Sequence, residues 1–209
     1  MREFQLEKCP YNEDEKLFNK SKITLETGVT VLVGCNGSGK STFMKQIKNQ
    51  LGNLGIHSVY YDNLNDGNAT AKSRAGWVGD MTLLATLMSS SEGEQIIANL
   101  GTTTRSIGKF VKEHREDLDE IWIFLDAIDS GLSIDNIVDV KEYLFKTILE
   151  DNQNKDVYII VSANEYEMCN GENCFDVTTG RYTQFKTYNA YRNFILKSKE
   201  RKDKRYKVD

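Results

Sequence analysis

Apolar and polar residues alternate in two stretches near the start of the chain, at residues 4–8 and 23–26. Alternation with a period of two predicts strands that have one buried and one solvated face. Short runs of mainly apolar residues predict further, more deeply buried strands. These runs lie at residues 29–33, 58–61, 121–125 and 157–161.

Helices are predicted where apolar residues recur every three or four positions. Phe43, Ile47 and Leu51 form one such stripe, and residues 134–150 carry a second. A third helix is expected at the end of the chain, at about residues 188–204.

Strand signals at residues 175–177 and 182–185 flank a turn sequence at 179–181 and predict a hairpin. Elsewhere strands alternate with helices, so the sequence predicts an α/β fold with a mainly parallel central sheet and an antiparallel N-terminal portion. Residues 63–100 begin with a stretch rich in Asn, Gly, Ala and Ser and continue with two short helix signals. We expect them to form a small helical lobe within a single domain that spans 1–209.

The composition and charge of the chain exclude some classes of protein but do not indicate a particular function. The chain has 209 residues and a formal net charge of -4, from 27 basic and 31 acidic side chains, so a globally basic nucleic-acid binder is not indicated. No window approaches 18 uncharged apolar residues, and the N-terminus lacks the apolar core of a signal peptide. We therefore expect a cytoplasmic chain with no membrane partner, whose four cysteines are free thiols.

The strongest chemical signal follows the strand predicted at residues 29–33. Its sequence, Gly-Cys-Asn-Gly-Ser-Gly-Lys-Ser at 34–41, fits a phosphate-binding loop at every required position. Glycines let the backbone turn its N–H groups toward phosphate oxygens, and the following helix N-terminus favours an anion. The predicted nucleotide-binding residues are Gly34, Asn36, Gly37, Ser38, Gly39, Lys40, Ser41 and Thr42.

The cofactors that this loop predicts are ATP and Mg²⁺. Lys40 is expected to reach the β- and γ-phosphates, and the Ser41 hydroxyl is expected to bind Mg²⁺. The apolar run at 121–125 is followed by Asp126. We expect this residue, at the end of a buried central strand, to be the second residue that holds Mg²⁺.

The order of motifs is similar to that of ABC-type ATPases, in particular the compact heads of chromosome-maintenance and DNA-repair members. Residues 34–42 resemble the Walker A motif of that superfamily, residues 90–95 (Ser-Ser-Glu-Gly-Glu-Gln) resemble its signature motif, and residues 129–133 resemble its D-loop. The resemblance implies a head-to-tail homodimer with two ATP molecules at the interface. The residues that it adds to the nucleotide site are Ser91, Gly93, Glu94 and Ser130.

Two catalytic positions depart from that family. Ala127 follows Asp126, where the family usually has a Glu that polarises the attacking water, and a methyl group cannot accept a proton. Either the natural protein lacks this base, or the residue has been substituted to trap ATP. After the strand at 157–161 the family has a switch histidine, whereas this chain has Ser162, Ala163 and Asn164. Asn164 can bond a phosphate or water but cannot act as a base at neutral pH.

Chain length is a third departure. Only 49 residues separate Ser41 from Ser91, which is too few for the long coiled coil of repair ATPases or the helical lobe of transporters. The sequence thus predicts a slow ATPase that forms an ATP-dependent homodimer. The alternative is a non-hydrolysing binding or regulatory module that acts on DNA or a protein partner. A small-molecule kinase is the weakest reading, because it does not account for residues 90–95 and 129–133.

Basic residues cluster in the predicted C-terminal helix. They can form a solvated helix face, or they can contact nucleic acid or an acidic partner. The cluster comprises Arg192, Lys197, Lys199, Arg201, Lys202, Lys204, Arg205 and Lys207.

Overall fold

The computed structural model describes residues 1–7, 17–63, 105, 107–112 and 119–205. The lobe predicted at about 63–100, apart from Asn63, lies outside these residues. So do the signature residues Ser91, Gly93 and Glu94.

A six-stranded sheet forms the centre of the described part of the chain, in the order β4-β5-β6-β3-β7-β8. Its strands pair in parallel except for β7 and β8, which form the antiparallel hairpin predicted from the turn at 179–181. The strands are β3 (Gly28–Val33), β4 (Ser58–Asp62), β5 (Glu120–Asp126), β6 (Asp156–Ser162), β7 (Asn173–Asp176) and β8 (Arg181–Thr183).

A separate antiparallel pair precedes this sheet, formed by β1 (Arg2–Gln5) and β2 (Lys22–Leu25). Phe4 and Ile23, both buried, oppose each other in this pair, so its apolar face packs into the core while its polar face meets solvent. The predicted α/β fold with a mainly parallel sheet and an antiparallel N-terminal portion is therefore confirmed.

Helices cover the sheet. They are α1 (Lys40–Asn53), α2 (Ile134–Asp151), α3 (Tyr166–Cys169) and α4 (Tyr188–Arg205), with a further helical turn at 107–112. The helix predicted at residues 134–150 is confirmed, and its middle, Val140–Phe145, is π-helical. The short helix α3 was not predicted, because four residues are too few to show a helical period.

Side chains of the central strands divide between two cores, because successive residues of a strand point to opposite faces. Ile123 and Leu125 belong to the core under α2, whereas Trp122 and Phe124 belong to the core under α1 and the β1–β2 pair. The sheet is thus covered on both faces. Functional groups that a ligand can reach are therefore expected in the loops that follow the carboxyl ends of the strands.

No helix among the described residues is both long and apolar enough to cross a membrane.

Candidate functional site

The loop between β3 and α1 wraps around a cavity of about 330 Å³. Gly39 caps the N-terminus of α1 with φ 101, a left-handed conformation that favours glycine, and a Cβ there would lie 2.8 Å from the Leu17 side chain. At Gly34 a Cβ would lie 2.4 Å from Ser38 Oγ. Glycine is therefore required at both positions for the loop to close.

Lys40 begins α1 and is 9% exposed. Its ammonium donates to Gly34 O at 2.9 Å and to Asn164 Oδ1 at 3.1 Å, both of them uncharged acceptors. Burial lowers the pKa of Lys40, while the more distant charges of Asp129 and Asp126 act in the opposite direction. Among the described residues no carboxylate forms an ion pair with this ammonium, so the site has a buried positive charge that suits an anionic ligand.

Asp126 ends β5 and is held by two hydroxyl groups. Ser162 Oγ donates a short hydrogen bond to one carboxylate oxygen, and Tyr60 OH donates to the other at 2.9 Å. Leu125 pairs with Val161 in the β5–β6 register, which brings Asp126 and Ser162 to the same level of the sheet. The carboxylate is therefore fixed in direction before any ligand binds.

Strand β6 lies between β3 and β5, so the end of β6 separates the phosphate loop from Asp126. This end supplies Ser162 and Asn164 to the cavity. Asn164 is held through its backbone: Asp129 Oδ2 accepts its N–H at 2.6 Å, and Tyr191 OH donates to its carbonyl at 2.6 Å. Its side chain is thereby positioned to accept from Lys40.

Ala127 has φ 53, a left-handed conformation that is uncommon for a residue with a side chain. Hydrogen bonds on both sides hold it there. Its N–H donates to Ser162 Oγ at 2.9 Å, and its carbonyl accepts from Asn63 Nδ2 at 3.1 Å. Asn63 Nδ2 also donates to Ser130 O at 3.0 Å, which ties the whole turn after β5 to the end of β4.

Asp129 is 1% exposed and supports this edge of the site from behind. Its Oδ2 also accepts from the Glu165 N–H at 2.6 Å, whereas its Oδ1 has no hydrogen-bond partner. Burial raises the pKa of Asp129, although the backbone N–H groups of Glu165 and Asn164 act against that rise.

The structure brings most of the predicted site residues to one cavity. Those that line it are Asn36, Gly37, Gly39, Lys40, Ser41, Thr42, Asp126, Ala127, Ser162 and Asn164, together with Leu17. Gly34 and Ser38 belong to the loop but do not line the cavity, and Ser38 is 2% exposed. Ser130 is exposed on the turn after β5 and does not line the cavity.

Sequence reasoning missed three residues that hold the site: Tyr60, Asn63 and Tyr191. The position of Asn63, directly after β4, was the available signal for one of them, because parallel strands end at the same edge of a sheet. Tyr191 offered no local signal, since it reaches Asn164 from α4.

Oxygen ligands suitable for Mg²⁺ meet in the same cavity as the buried ammonium. The Ser41 hydroxyl and the Asp126 carboxylate are the residues that could hold the ion, and both are hard oxygen donors of the kind Mg²⁺ prefers. The donor set and the uncompensated charge of Lys40 therefore fit a Mg²⁺–polyphosphate ligand.

The parallel sheet, the phosphate loop and the carboxylate at the end of β5 define a P-loop ATPase. The sequence profile of the ATPase family associated with various cellular activities (AAA) matches residues 30–177, from within β3 to just after β7, and the chain belongs to this family. Members of the family generally use ATP and Mg²⁺. No curated protein matches the sequence.

Proposed function

We propose that this nucleotide-binding ATPase holds ATP with Mg²⁺ and hydrolyses it slowly, so that bound ATP acts mainly as a switch. The observation that carries the proposal is the side chain of residue 127. Ala127 lines the same cavity as Lys40, Ser41 and Asp126, and its side chain, a methyl group, cannot accept a proton.

Binding is assigned to the residues of the phosphate loop. The backbone N–H groups at the start of α1 and the ammonium of Lys40 would bind the phosphates, with Ser41 and Asp126 holding the metal ion. When bound, Mg²⁺ supplies positive charge to the phosphate oxygens. Lys40 would exchange two neutral acceptors, Gly34 O and Asn164 Oδ1, for charged phosphate oxygens, which form stronger hydrogen bonds.

Slow hydrolysis follows from the groups available to a water molecule. Among the described residues that line the cavity, Asp126 is the single carboxylate, and both of its oxygens already accept hydrogen bonds. Ser162 and Asn164 can orient water, but neither takes up a proton at neutral pH. The described part of the cavity is therefore suited to bind phosphate, and none of its lining residues is free to act as a general base.

Steady-state phosphate release from Mg²⁺–ATP tests this proposal. Installing the missing base in Ala127→Glu should raise turnover by about 100-fold, the lower range for a positioned general base. Ala127→Gln is the matched control, since it has nearly the same size and no basic group, and it should stay at the original rate. Brisk turnover by the chain with Ala127 would refute slow hydrolysis. Equal rates for the Glu and Gln variants would refute the absence of a base as its cause.

Self-association is the second part of the proposal, and it rests on the ABC-type resemblance of residues 90–95 and 129–133. A head-to-tail homodimer would place Ser130 of the exposed turn, with Ser91, Gly93 and Glu94, against the nucleotide of a second copy. Such a dimer could present DNA or a protein partner with a surface that exists only when ATP is bound.

Mass measurement in solution, with and without Mg²⁺–ATP, tests the dimer. We expect a monomer without nucleotide and a dimer with Mg²⁺–ATP. Replacing Ser130 by Arg should block the dimer and leave ATP binding by the monomer intact. A chain that stays monomeric at high concentration in both conditions rules the dimer out, without affecting the proposal on binding and hydrolysis.

A further inference from the structure

The C-terminal helix α4 packs directly against the phosphate loop. Ser198, which is 3% exposed, accepts the Cys35 N–H at 3.1 Å, so the loop backbone is bonded to the helix just after β3. One turn further along, Lys202 Nζ donates to Asn36 O at 3.0 Å. Residues 198 and 202 are four apart and share a helix face, which places the last turns of α4 beside the loop.

Lys202 lies next to two residues that line the nucleotide cavity, Asn36 and Gly37. A Cβ on Gly37 would be 3.8 Å from Lys202 Nζ, so the ammonium lies close to the backbone of the loop. The side chain is half-buried, and its stem packs on the loop.

Two basic residues close to Lys202 on α4 have carboxylate partners. Arg201 contacts the Asp176 carboxylate at 3.4 Å, and Lys199 contacts Asp203 at 3.3 Å. Across the described residues, Lys202 has no carboxylate partner, and its polar contact is the neutral carbonyl of Asn36. An ammonium in that position gains from exchanging a carbonyl for a phosphate oxygen.

We propose that Lys202 is a second phosphate-binding cation, supplied by α4 of the same chain, that turns from Asn36 O to the terminal phosphate of bound ATP. The inference rests on the proposed ATP binding and adds a residue to it. From sequence, the basic residues of the C-terminal helix could form a solvated face or contact nucleic acid or an acidic partner. The proposal instead assigns one of them, near the end of the helix, a contact with the bound nucleotide. A flexible four-carbon stem allows the small movement that this contact needs.

Affinities for ATP and ADP, each with Mg²⁺, test the proposal by calorimetric titration of the full chain. Lys202→Met keeps the apolar stem and removes the charge, so it should weaken ATP binding by about tenfold, the effect of one lost charged hydrogen bond. ADP binding should change by less than about twofold, because ADP lacks the terminal phosphate. Lys202→Arg should retain the ATP affinity. Lys204→Met, which removes an equal charge from an exposed position of the same helix, should behave as the unmodified chain.

Three results would overturn the inference. Unchanged ATP affinity in Lys202→Met would show that the ammonium makes no phosphate contact. Equal losses for ATP and ADP, with a lower melting temperature, would show that Lys202 only docks α4 on the loop. Equal losses in Lys202→Met and Lys204→Met would assign the effect to the general charge of the helix. If the unmodified chain binds neither nucleotide, the proposed function itself fails, and that result is distinct from all three.

Discussion

The two sides of the nucleotide cavity differ in the functional groups that they offer to a bound nucleotide. On one side, the loop after β3 presents a buried ammonium, Lys40, that has no carboxylate partner among the described residues. On the other side, Ser162 donates to Asp126 and Asn63 donates to the carbonyl of Ala127, which ties the ends of β4, β5 and β6 together. The side chain at position 127 on this side is only a methyl group.

Under the proposed function, this difference means that holding a nucleotide and splitting it would depend largely on separate edges of the cavity. The loop side is built mainly from one continuous segment, from β3 to α1, to which α4 bonds through Ser198. The other side depends on residues from β4, β5 and β6 that must meet at one edge. A substitution at one of those strand ends can remove hydrolysis and leave binding intact.

The largest effect is expected on the loop side. Lys40→Met should weaken Mg²⁺–ATP binding by about 100-fold, because it removes the buried charge and its hydrogen bonds to phosphate. The free chain should keep its melting temperature or gain slightly, since an apolar side chain replaces a buried ammonium that lacks an ion-pair partner.

Lys45→Met is the matched control for Lys40→Met. Lys45 lies on the same helix and is exposed, so this variant should bind ATP normally. Titration with ATP and thermal unfolding without it measure the two quantities. A Lys40→Met variant that binds ATP with unchanged affinity would contradict the assignment of binding to the loop side.

A smaller effect, on stability, is expected at Asp129, which supports the side of the cavity formed by the ends of β5 and β6. Burial raises the pKa of this carboxyl, so the folded state holds a proton more tightly than the unfolded chain does. The charged form at neutral pH therefore costs stability, and Asp129→Asn should raise the free energy of unfolding by about 1 kcal/mol there, because the amide oxygen still accepts both backbone N–H groups. The gain should shrink as the pH falls through the raised pKa toward the ordinary value near 3.9.

Thermal unfolding of Asp129→Asn at a series of pH values checks this prediction. Asp139→Asn, on the exposed face of α2, serves as the charge control and should show no such trend. A stability difference that stays constant from neutral to acid pH would mean that the charge of Asp129 is not the cause.

Sequence and structure agree best where the signal is local. The phosphate loop, the buried strand before Asp126 and the hairpin at β7–β8 each depend on neighbouring residues, so patterns in the chain predicted them. The fold class followed from the order of these elements.

Contacts between distant segments could not be predicted in the same way. Tyr191 and Ser198 come from α4, and Asn63 directly follows β4, yet all three bond to loops of the site. Their positions depend on the strand order and on how α4 packs, and neither produces a periodic pattern of residues from which it could be predicted. The left-handed backbone of Ala127 is likewise set by its two hydrogen-bond partners, because alanine has no preference for it.

The fate of ATP already bound to the chain tests the central claim most directly. The chain is mixed with an equal amount of labelled ATP and Mg²⁺, free nucleotide is removed, and the ATP and ADP that remain on the protein are measured over time beside Ala127→Glu. The account predicts that ATP stays bound and intact on the chain with Ala127, while ADP accumulates on the Glu variant. Conversion of bound ATP to ADP at the same rate in both proteins would contradict it.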